Sequence, residues 1–144
     1  MIRIETVKLE YLNYIENIAN SSSEYLVPNN HMIYYLCCTV FSKYSFIAFK
    51  NDAPIGYLFS VPEFDAKYIW LHQIAVTQEN RHTGVGSQLV FEFEKLILKE
   101  KCFKTIRCAI KPDNLPSKTF FLKHSFKSLG LDSYISMEIF EKQI

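Results

Sequence analysis

The sequence predicts an α/β protein of the α+β kind, with a single mixed, mostly antiparallel sheet and helices on both of its faces. Three observations predict this class. Segments in which apolar and polar residues alternate are interspersed along the chain with segments of helical spacing. Two strand-like runs flank Asn-Asp-Ala-Pro at 51–54, which predicts an antiparallel hairpin. A strand, a helix and another strand follow one another over residues 67–110, which predicts a parallel pair of strands.

The composition is that of a soluble globular protein. The 144 residues suit one domain, which we expect to span residues 1–144, and 49% of them are hydrophobic. The formal net charge is +1 with scattered lysine and arginine, so we expect neither nucleic acid nor a membrane as a partner. The cysteines and histidines show no metal-ligand spacing, so we expect free thiols and no metal site. No signal peptide is recognisable, and the apolar runs are far shorter than the roughly 20 residues that span a bilayer. We therefore expect a cytoplasmic protein, and the sequence leaves a homodimer open.

The first half of the chain predicts a strand, two helices and the hairpin. Apolar residues recur at helical spacing from Leu9 to Ala19, and the turn formers of 21–30 separate this helix from the next. The predicted elements are a strand at 2–7, a helix at 9–19, a helix around 31–41 and two strands within 45–61.

The second half predicts a strong strand, a long helix and three further elements. The long helix has an apolar face formed by Leu89, Val90, Phe93, Leu96 and Ile97. The predicted elements are a strand at 67–77, a helix at 86–101, a strand at 104–110, a helix at 117–126 and a final strand at 133–140.

Two glycines lie between the strong strand and the long helix, in the stretch Arg81-His82-Thr83-Gly84-Val85-Gly86. Glycine lets the backbone adopt positive φ and lets a ligand approach the peptide plane. The first turn of a helix has N–H groups without intrahelical partners and a partial positive charge, which suits a pyrophosphate. Arg81 can add charge-assisted hydrogen bonds. Neither the P-loop nor the dinucleotide-binding pattern is present, and taken alone the two glycines also fit a plain tight turn.

Two motifs in the right order resemble one family. The stretch IAVTQENRHTGVGSQLV resembles the acetyl-CoA motif of the GNAT N-acetyltransferase superfamily, in which a strand leads through Arg/Gln-x-x-Gly-x-Gly/Ala into a helix. The stretch PDNLPSKTFFLKHSF resembles the later motif of the same superfamily. The matching residues are Arg81, Gly84 and Gly86 in the first motif and Asn114, Ser117, Phe120 and Phe126 in the second.

The resemblance implies the GNAT acyl-CoA acyltransferase fold, with acetyl-CoA as co-substrate and no metal ion. In that family the loop binds the CoA pyrophosphate through backbone N–H groups, and the preceding strand pairs with the pantetheine arm. The residues that would contact acetyl-CoA are Ile74, Ala75, Val76, Arg81, His82, Thr83, Gly84, Val85, Gly86, Ser87, Asn114, Ser117 and Phe121.

Two positions depart from the family pattern. Phe121 occupies the position of a tyrosine that is thought to protonate the departing CoA thiolate, and Ser125 replaces the usual glycine. Phe121 cannot donate a proton. Water or another residue would then protonate the thiolate, or it leaves unaided, because the pKa of a thiol is only about 8–9.

His72 is the candidate general base. The stretch WLHQIAV resembles the His-x-His-x-Leu-Ala-Val strand of the serotonin N-acetyltransferase branch, with His72 at the second histidine. A neutral imidazole can accept a proton near pH 7. His72 could instead only pack within the sheet, with Glu79 or water as the base. Tyr134 on the final strand is either a substitute acid or a core residue.

The acceptor substrate is the part of the function that the sequence specifies least. If the family geometry holds, residues 24–50 form part of the acceptor pocket. Several short stretches also resemble the diaminobutyrate acetyltransferases, which favours a small amino-acid-like or polyamine amine. We therefore predict an N-acetyltransferase that acts on a small primary amine by direct attack. The alternatives are a non-catalytic acyl-CoA-binding sensor and an acetyltransferase of protein N-termini or lysines.

Overall fold

The structure is a computed structural model that describes residues 1–22, 26 and 29–144. The strands are β1 (Ile2–Thr6), β2 (Phe46–Lys50), β3 (Ala53–Glu63), β4 (Tyr68–Val76), β5 (Thr105–Ile110), β6 (Lys127–Asp132) and β7 (Met137–Gln143). The helices are α1 (Leu12–Ser21), α2 (His31–Cys38), α3 (Val85–Glu100) and α4 (Leu115–Lys123). Short 3-10 turns lie at Leu9–Tyr11, Ser42–Tyr44 and Gln78–Asn80.

All seven strands form one sheet in the order β1-β2-β3-β4-β5-β7-β6. Strands β4 and β5 are parallel, and every other neighbouring pair is antiparallel. The turn between β2 and β3 is made by Asn51 and Asp52, which both have positive φ, as the tightest hairpin turns require. The mixed, mostly antiparallel sheet is therefore confirmed, with its antiparallel hairpin and its parallel pair.

The parallel pairing of β4 with β5 is short. It joins residues 68–70 to residues 105–107, and beyond Trp70 and Arg107 the two strands diverge. On its other side β4 stays paired with β3 as far as Val76. The carboxyl-terminal half of β4 therefore has one edge that β5 does not cover, and this edge borders a cleft.

A β-bulge interrupts β4 at the start of this edge. Phe59 of β3 pairs with Gln73, but its neighbour Ser60 pairs with Leu71, so His72 is the extra residue. The bulge changes which side chains share a face. Leu71 packs in the core beside α3, whereas Gln73 contacts Tyr57 in the core beside α1 and α2. Regular alternation would place Leu71 and Gln73 on one face of the strand, and the bulge places them on opposite faces.

Each face of the sheet has its own hydrophobic core. Helix α3 buries Val85, Leu89, Val90, Phe93 and Ile97 against one face, and Leu96 is partly buried there. The predicted apolar face of this helix is thus confirmed. On the opposite face, α1 and α2 pack on side chains of β2, β3 and β4. This arrangement confirms helices on both faces.

The C-terminal part of the chain differs from the prediction. The sequence predicted one strand at 133–140, but residues 133–136 form a turn between β6 and β7. The Asp132 carboxylate accepts hydrogen bonds from the N–H groups of Tyr134 and Ile135, which stabilises this turn. Tyr134 is 97% exposed in the turn, so its predicted packing in the core is wrong. Strand β6 was missed because its residues are almost all exposed and show no alternation.

Other boundaries shift by a few residues. The helix predicted at 9–19 begins as a 3-10 turn and becomes regular at Leu12, and the helix predicted at 117–126 starts at Leu115. Part of the predicted break at 21–30, residues 23–25 and 27–28, lies outside the described residues. No helix in the described part of the chain is long and apolar enough to cross a membrane.

Candidate active site

Three adjoining cavities form a continuous cleft along β4. The loop cavity, of about 820 Å3, lies between residues 80–87 and α4. The middle cavity, of about 180 Å3, borders residues 74–76. The inner cavity, of about 330 Å3, lies where β4 and β5 diverge. Val76, Arg81, Gly86, Pro116 and Phe120 line both of the first two cavities. Leu26, Ile74 and Ser117 line both the middle and the inner cavity.

The cleft brings together nearly all of the predicted site residues. His72, Asn114, Ser117 and Phe121 line the inner cavity. The loop and strand residues line the other two: Ile74, Ala75, Val76, Arg81, His82, Gly84, Val85, Gly86 and Ser87. Among the predicted site residues, Thr83 is not found among the described residues that line the three cavities. Its hydroxyl donates a hydrogen bond to the backbone carbonyl of Asn80.

Gly84 caps the N-terminus of α3. Its φ is +91°, in the left-handed region that L-residues with a side chain rarely adopt, and a Cβ here would have no heavy atom within 4 Å. The first hydrogen bond of the helix runs from the N–H of Gln88 to the carbonyl of Gly84, at 3.0 Å. The N–H groups of the first turn of α3, at residues 85–87, therefore have no intrahelical partner. Val85, Gly86 and Ser87, which carry these groups, line the loop cavity, and a helix N-terminus of this kind suits an anion.

Side-chain hydrogen bonds hold the loop that precedes Gly84. Arg81 donates from Nε to the carbonyl of Val76 at 3.1 Å, which fixes its guanidinium at the end of β4. Asn80 donates from Nδ2 to Thr77 Oγ1 at 2.9 Å. His82 has a φ of 62°, so the chain reverses there before it enters the helix. These hydrogen bonds stabilise one conformation of the loop, in which Arg81 lines both the loop cavity and the middle cavity.

Gly86 allows α4 to pack close to α3. A Cβ on Gly86 would lie 3.3 Å from Cε2 of Phe120, closer than almost all real contacts of this kind. The ring of Phe120 also stacks at an angle near His124, with 4.5 Å between ring centroids. A side chain at position 86 would therefore push the Phe120 ring away by a few tenths of an ångström, so Gly86 favours the close packing of α4 on α3.

His124 also lies in the cleft, although it was not among the predicted site residues. It ends α4 and lines the loop cavity with its neighbour Lys123. Its Nε2 lies 2.9 Å from Ser87 Oγ, in the first turn of α3. Desolvation lowers the pKa of His124 below its ordinary value. The signal for this site in the sequence was the adjacent Lys-His pair at the end of the predicted helix.

His72 lies in the inner cavity at the bulge of β4. No hydrogen bond of its ring is found among the described residues, and the ring is open to the cleft. The surrounding walls still exclude part of the water, and this desolvation lowers the pKa of His72. Near pH 7 the ring is therefore neutral and able to accept a proton.

The neighbour of His72 anchors a polar network in the opposite core. Gln73 Oε1 accepts hydrogen bonds from the hydroxyls of Tyr57, at 2.6 Å, and of Tyr34, at 3.2 Å. The Tyr34 hydroxyl in turn accepts from the N–H of Asn29 at 2.9 Å. Desolvation raises the pKa of Tyr57, so its hydroxyl stays protonated. The network ties the segment before α2 to β4, directly beside the bulge.

The start of α4 forms the wall opposite β4. Asn114 caps this helix, and its Oδ1 accepts from the N–H of Ser117 at 3.2 Å. Phe121 is buried in the core beside Phe120 and Phe126, with 5.1 Å between ring centroids in each pair. One face of Phe121 still borders the inner cavity.

Other candidate residues lie outside the cleft. Glu79 and Tyr134 are exposed and line none of the three cavities as described. Cys37 and Cys38 are buried at the C-terminal end of α2, in the opposite core. Cys108 does border the inner cavity, but burial raises the pKa of its thiol to about 12.

The comparisons with known proteins agree with this geometry. A model of the acetyltransferase (GNAT) family matches residues 12–126, most of the chain. The chain belongs to the GNAT acetyltransferase family. The GNAT resemblance read from the two motifs is thereby confirmed, and with it the assignment as an acetyl-CoA-dependent acyltransferase. A search of curated proteins finds no significant match.

Solved GNAT structures share the whole fold at low identity. Diaminobutyrate acetyltransferase EctA from Paenibacillus lautus, in complex with L-2,4-diaminobutyric acid and coenzyme A, is 16% identical with a TM-score of 0.82. That match covers 98% of this chain and 93% of the other. PaiA N-acetyltransferase from Thermoplasma acidophilum, in complex with coenzyme A, is 19% identical with a TM-score of 0.80. That match covers 100% of this chain and 99% of the other. Arabidopsis thaliana Naa50, in complex with the bisubstrate analogue CoA-Ac-MVNAL, is 16% identical with a TM-score of 0.81, over 99% of both chains. At these identities the likeness establishes the GNAT fold.

Proposed function

We propose that this protein transfers an acetyl group from acetyl-CoA to the primary amine of a small molecule, by direct attack of the amine on the thioester. One observation carries the proposal. The open N-terminus of α3, the uncovered edge of β4 and the side chain of His72 follow one another along a single cleft. These are the three features that the transfer requires, in the order in which an extended thioester would meet them.

The loop cavity would hold the phosphates of acetyl-CoA. The positive φ of Gly84 and the space beside it leave room for an anion against the N–H groups of the first turn of α3. Arg81 and His82 add basic side chains to the same cavity. Residues 74–76 line the middle cavity and would bind the pantetheine arm along the edge that β5 leaves uncovered.

His72 would remove the proton from the attacking amine. At a lysine-like pKa of about 10.4, only about 10⁻³ of an amine is neutral at pH 7, a deficit of roughly 4–5 kcal/mol. A neutral imidazole beside the bound ammonium group would accept its proton before the attack, since only the neutral amine has a lone pair that can bond to the carbonyl carbon. Positioning the neutral amine at the thioester would lower the remaining barrier. The lowered pKa keeps His72 unprotonated at neutral pH and ready for this role.

Backbone N–H groups of β4 near Ile74–Val76 would stabilise the negative charge that develops on the carbonyl oxygen. Acetyl-CoA supplies an activated thioester whose thiolate departs readily, with a thiol pKa of about 8–9. Departure without a tyrosine acid at position 121 is therefore feasible. The thiol of Cys108 is held protonated by its burial, which favours direct attack over an acyl-enzyme.

The test combines binding and turnover on the same preparation. Calorimetry measures the affinity for acetyl-CoA, and release of free thiol is followed with a panel of small amines and unblocked peptides. Turnover with small amines supports the proposal. Binding without turnover on any acceptor would favour a sensor, and turnover confined to peptides would favour a protein acetyltransferase. Absence of acetyl-CoA binding at millimolar concentration would refute it.

A further inference from the structure

The inner cavity is lined by a lysine and by an asparagine whose amide donor has no partner among the described residues, and the transfer of an acetyl group does not itself require either. Lys111 directly follows β5 and lines the cavity. Among the described residues it has no ion-pair partner, and its backbone carbonyl accepts from the N–H of Asn114 at 3.0 Å. Its backbone is therefore fixed by the turn before α4, while its ammonium group is available to the cavity.

Asn29, on the segment before α2, lines the same cavity as Lys111. Its backbone is held by Tyr34, but its side-chain Nδ2 is buried without a hydrogen-bond partner among the described residues. A buried donor without a partner costs about 1–3 kcal/mol. The terminal torsion of an asparagine is soft, so this amide is able to turn towards an acceptor in the cavity that the residue lines.

We propose that the inner cavity recognises a carboxylate, so that the acceptor is a small amine that also carries a carboxylate group. This inference rests on the proposed function and narrows its substrate class. The carboxylate would lie between Lys111 and Asn29, and the amine would point towards His72. The N-terminus of α4, at Asn114 and Ser117, adds a favourable dipole to the same wall.

The electrostatics of the cavity favour this acceptor over a polyamine. The formally charged side chain among its described lining residues is Lys111. A diamine would place its second ammonium group near this like charge, which is unfavourable. An amino acid instead places its carboxylate there, and the same positive charge lowers the pKa of the nearby amine, which favours the neutral form that attacks.

The test uses matched pairs of amines that differ only by the carboxylate. The pairs are 2,4-diaminobutyrate with 1,3-diaminopropane, ornithine with putrescine, and lysine with cadaverine. We expect kcat/KM to favour the carboxylated member of the best pair by about tenfold, the value of one charge-assisted hydrogen bond of about 1.4 kcal/mol. Preference for the decarboxylated members, or for a short unblocked peptide amide, would overturn the inference.

Variants at Lys111 connect the preference to this cavity. Lys111→Met should lower the ratio of kcat/KM between the carboxylated and the decarboxylated amine about tenfold, chiefly through KM. The matched control Lys111→Arg should retain this ratio. Lys111→Glu should reverse the preference towards diamines. Comparing ratios between variants cancels the difference in amine pKa within a pair. A ratio that is the same in Lys111→Met and the wild type would overturn the inference.

Binding in the absence of chemistry covers the case of slow turnover. Calorimetry of the complex with CoA measures the affinity for the same six amines, and the carboxylated members should bind more tightly. If none of the carboxylated amines binds at millimolar concentration, the inference is wrong while the proposed function survives. If acetyl-CoA itself does not bind, the proposed function has failed, and the inference fails with it.

Discussion

Ser87 Oγ and His124 Nε2 lie 2.9 Å apart and join the first turn of α3 to the end of α4 across the mouth of the loop cavity. Desolvation lowers the pKa of His124, the nearby Lys142 and Lys123 lower it further, and Glu94 opposes them. A phosphate bound beside the ring would raise this pKa, because it stabilises the charged form. Binding of CoA should therefore be accompanied by uptake of a proton.

The sign of the effect follows from linkage. Because the pKa of His124 is lowered in the free protein and raised in the complex, the affinity for CoA should strengthen as the pH falls through the ordinary histidine pKa of about 6.5. Calorimetry from about pH 8 to about pH 5.5 measures this slope. His124→Gln should flatten it, and His31→Gln, which removes an exposed histidine paired with Glu16, should not. If the pH dependence of CoA affinity were equal in the wild type and in His124→Gln, the proton would be taken up by another group.

Replacement of Gly84 tests the site at the start of α3. Gly84→Ala forces a side chain into left-handed backbone, which costs about 1–2 kcal/mol, and places a methyl group where the anion would approach. We expect a lower free energy of unfolding together with an affinity for CoA reduced by tenfold or more.

Gly130 provides the matched control. It also has a positive φ, of +94°, and a Cβ there would likewise meet no heavy atom within 4 Å, but it lies on β6 away from the cleft. Gly130→Ala should destabilise the protein by a similar amount, measured by urea denaturation, and leave the affinity for CoA unchanged. If both variants lose CoA affinity to the same extent, the loss at Gly84 reflects stability alone.

The pH–rate profile tests His72 as the base. Since desolvation lowers its pKa, the acidic limb of kcat/KM should have its midpoint below about 6.5, and the rate should fall as the pH drops through it. His72→Gln should lower kcat/KM by about 10² or more and remove that limb. The affinity for acetyl-CoA should stay near the wild-type value. A limb that persists in His72→Gln would transfer the role to water or to another group.

Phe121→Tyr tests whether departure of the thiolate limits the reaction. Its hydroxyl would border the inner cavity and could donate a proton, so we expect single-turnover transfer to accelerate by about threefold. The gain is small because a thiol with a pKa of about 8–9 is already a good leaving group. Phe126→Tyr is the control, since it places a hydroxyl in the core and should cost about 1–3 kcal/mol without accelerating transfer. A slower Phe121→Tyr enzyme would contradict this role.

Much of the fold could be predicted because local patterns and tertiary packing agree. Leu89, Phe93 and Ile97 repeat at helical spacing, and they are fully buried in the core beside α3. Strand β6 could not be predicted, since nearly all of its side chains are exposed and it is held mainly by backbone pairing with β7. The predicted strand at 133–140 failed at its start, because the Asp132 turn overrides the β-propensity of Tyr134 and Ile135.

Much of the candidate site could also be predicted from the sequence, but its arrangement could not. The glycines predict a loop at the start of a helix, because few other residues tolerate a backbone with positive φ. The bulge at His72 depends on how β3 pairs with β4, and the pairing of Ser87 with His124 joins residues 37 positions apart. No local pattern encodes either contact.

The sequence by itself determined the family, the order of the elements from β1 to α4 and the loop that begins α3, because these depend on local backbone preference and on short-range periodicity. Only the tertiary structure decided that β5 leaves β4 after Trp70, and that Lys111 and Asn29 line the same cavity as His72. The physical reason is that a cleft is formed by strands and helices distant in sequence, whose separation depends on how both cores pack against the sheet.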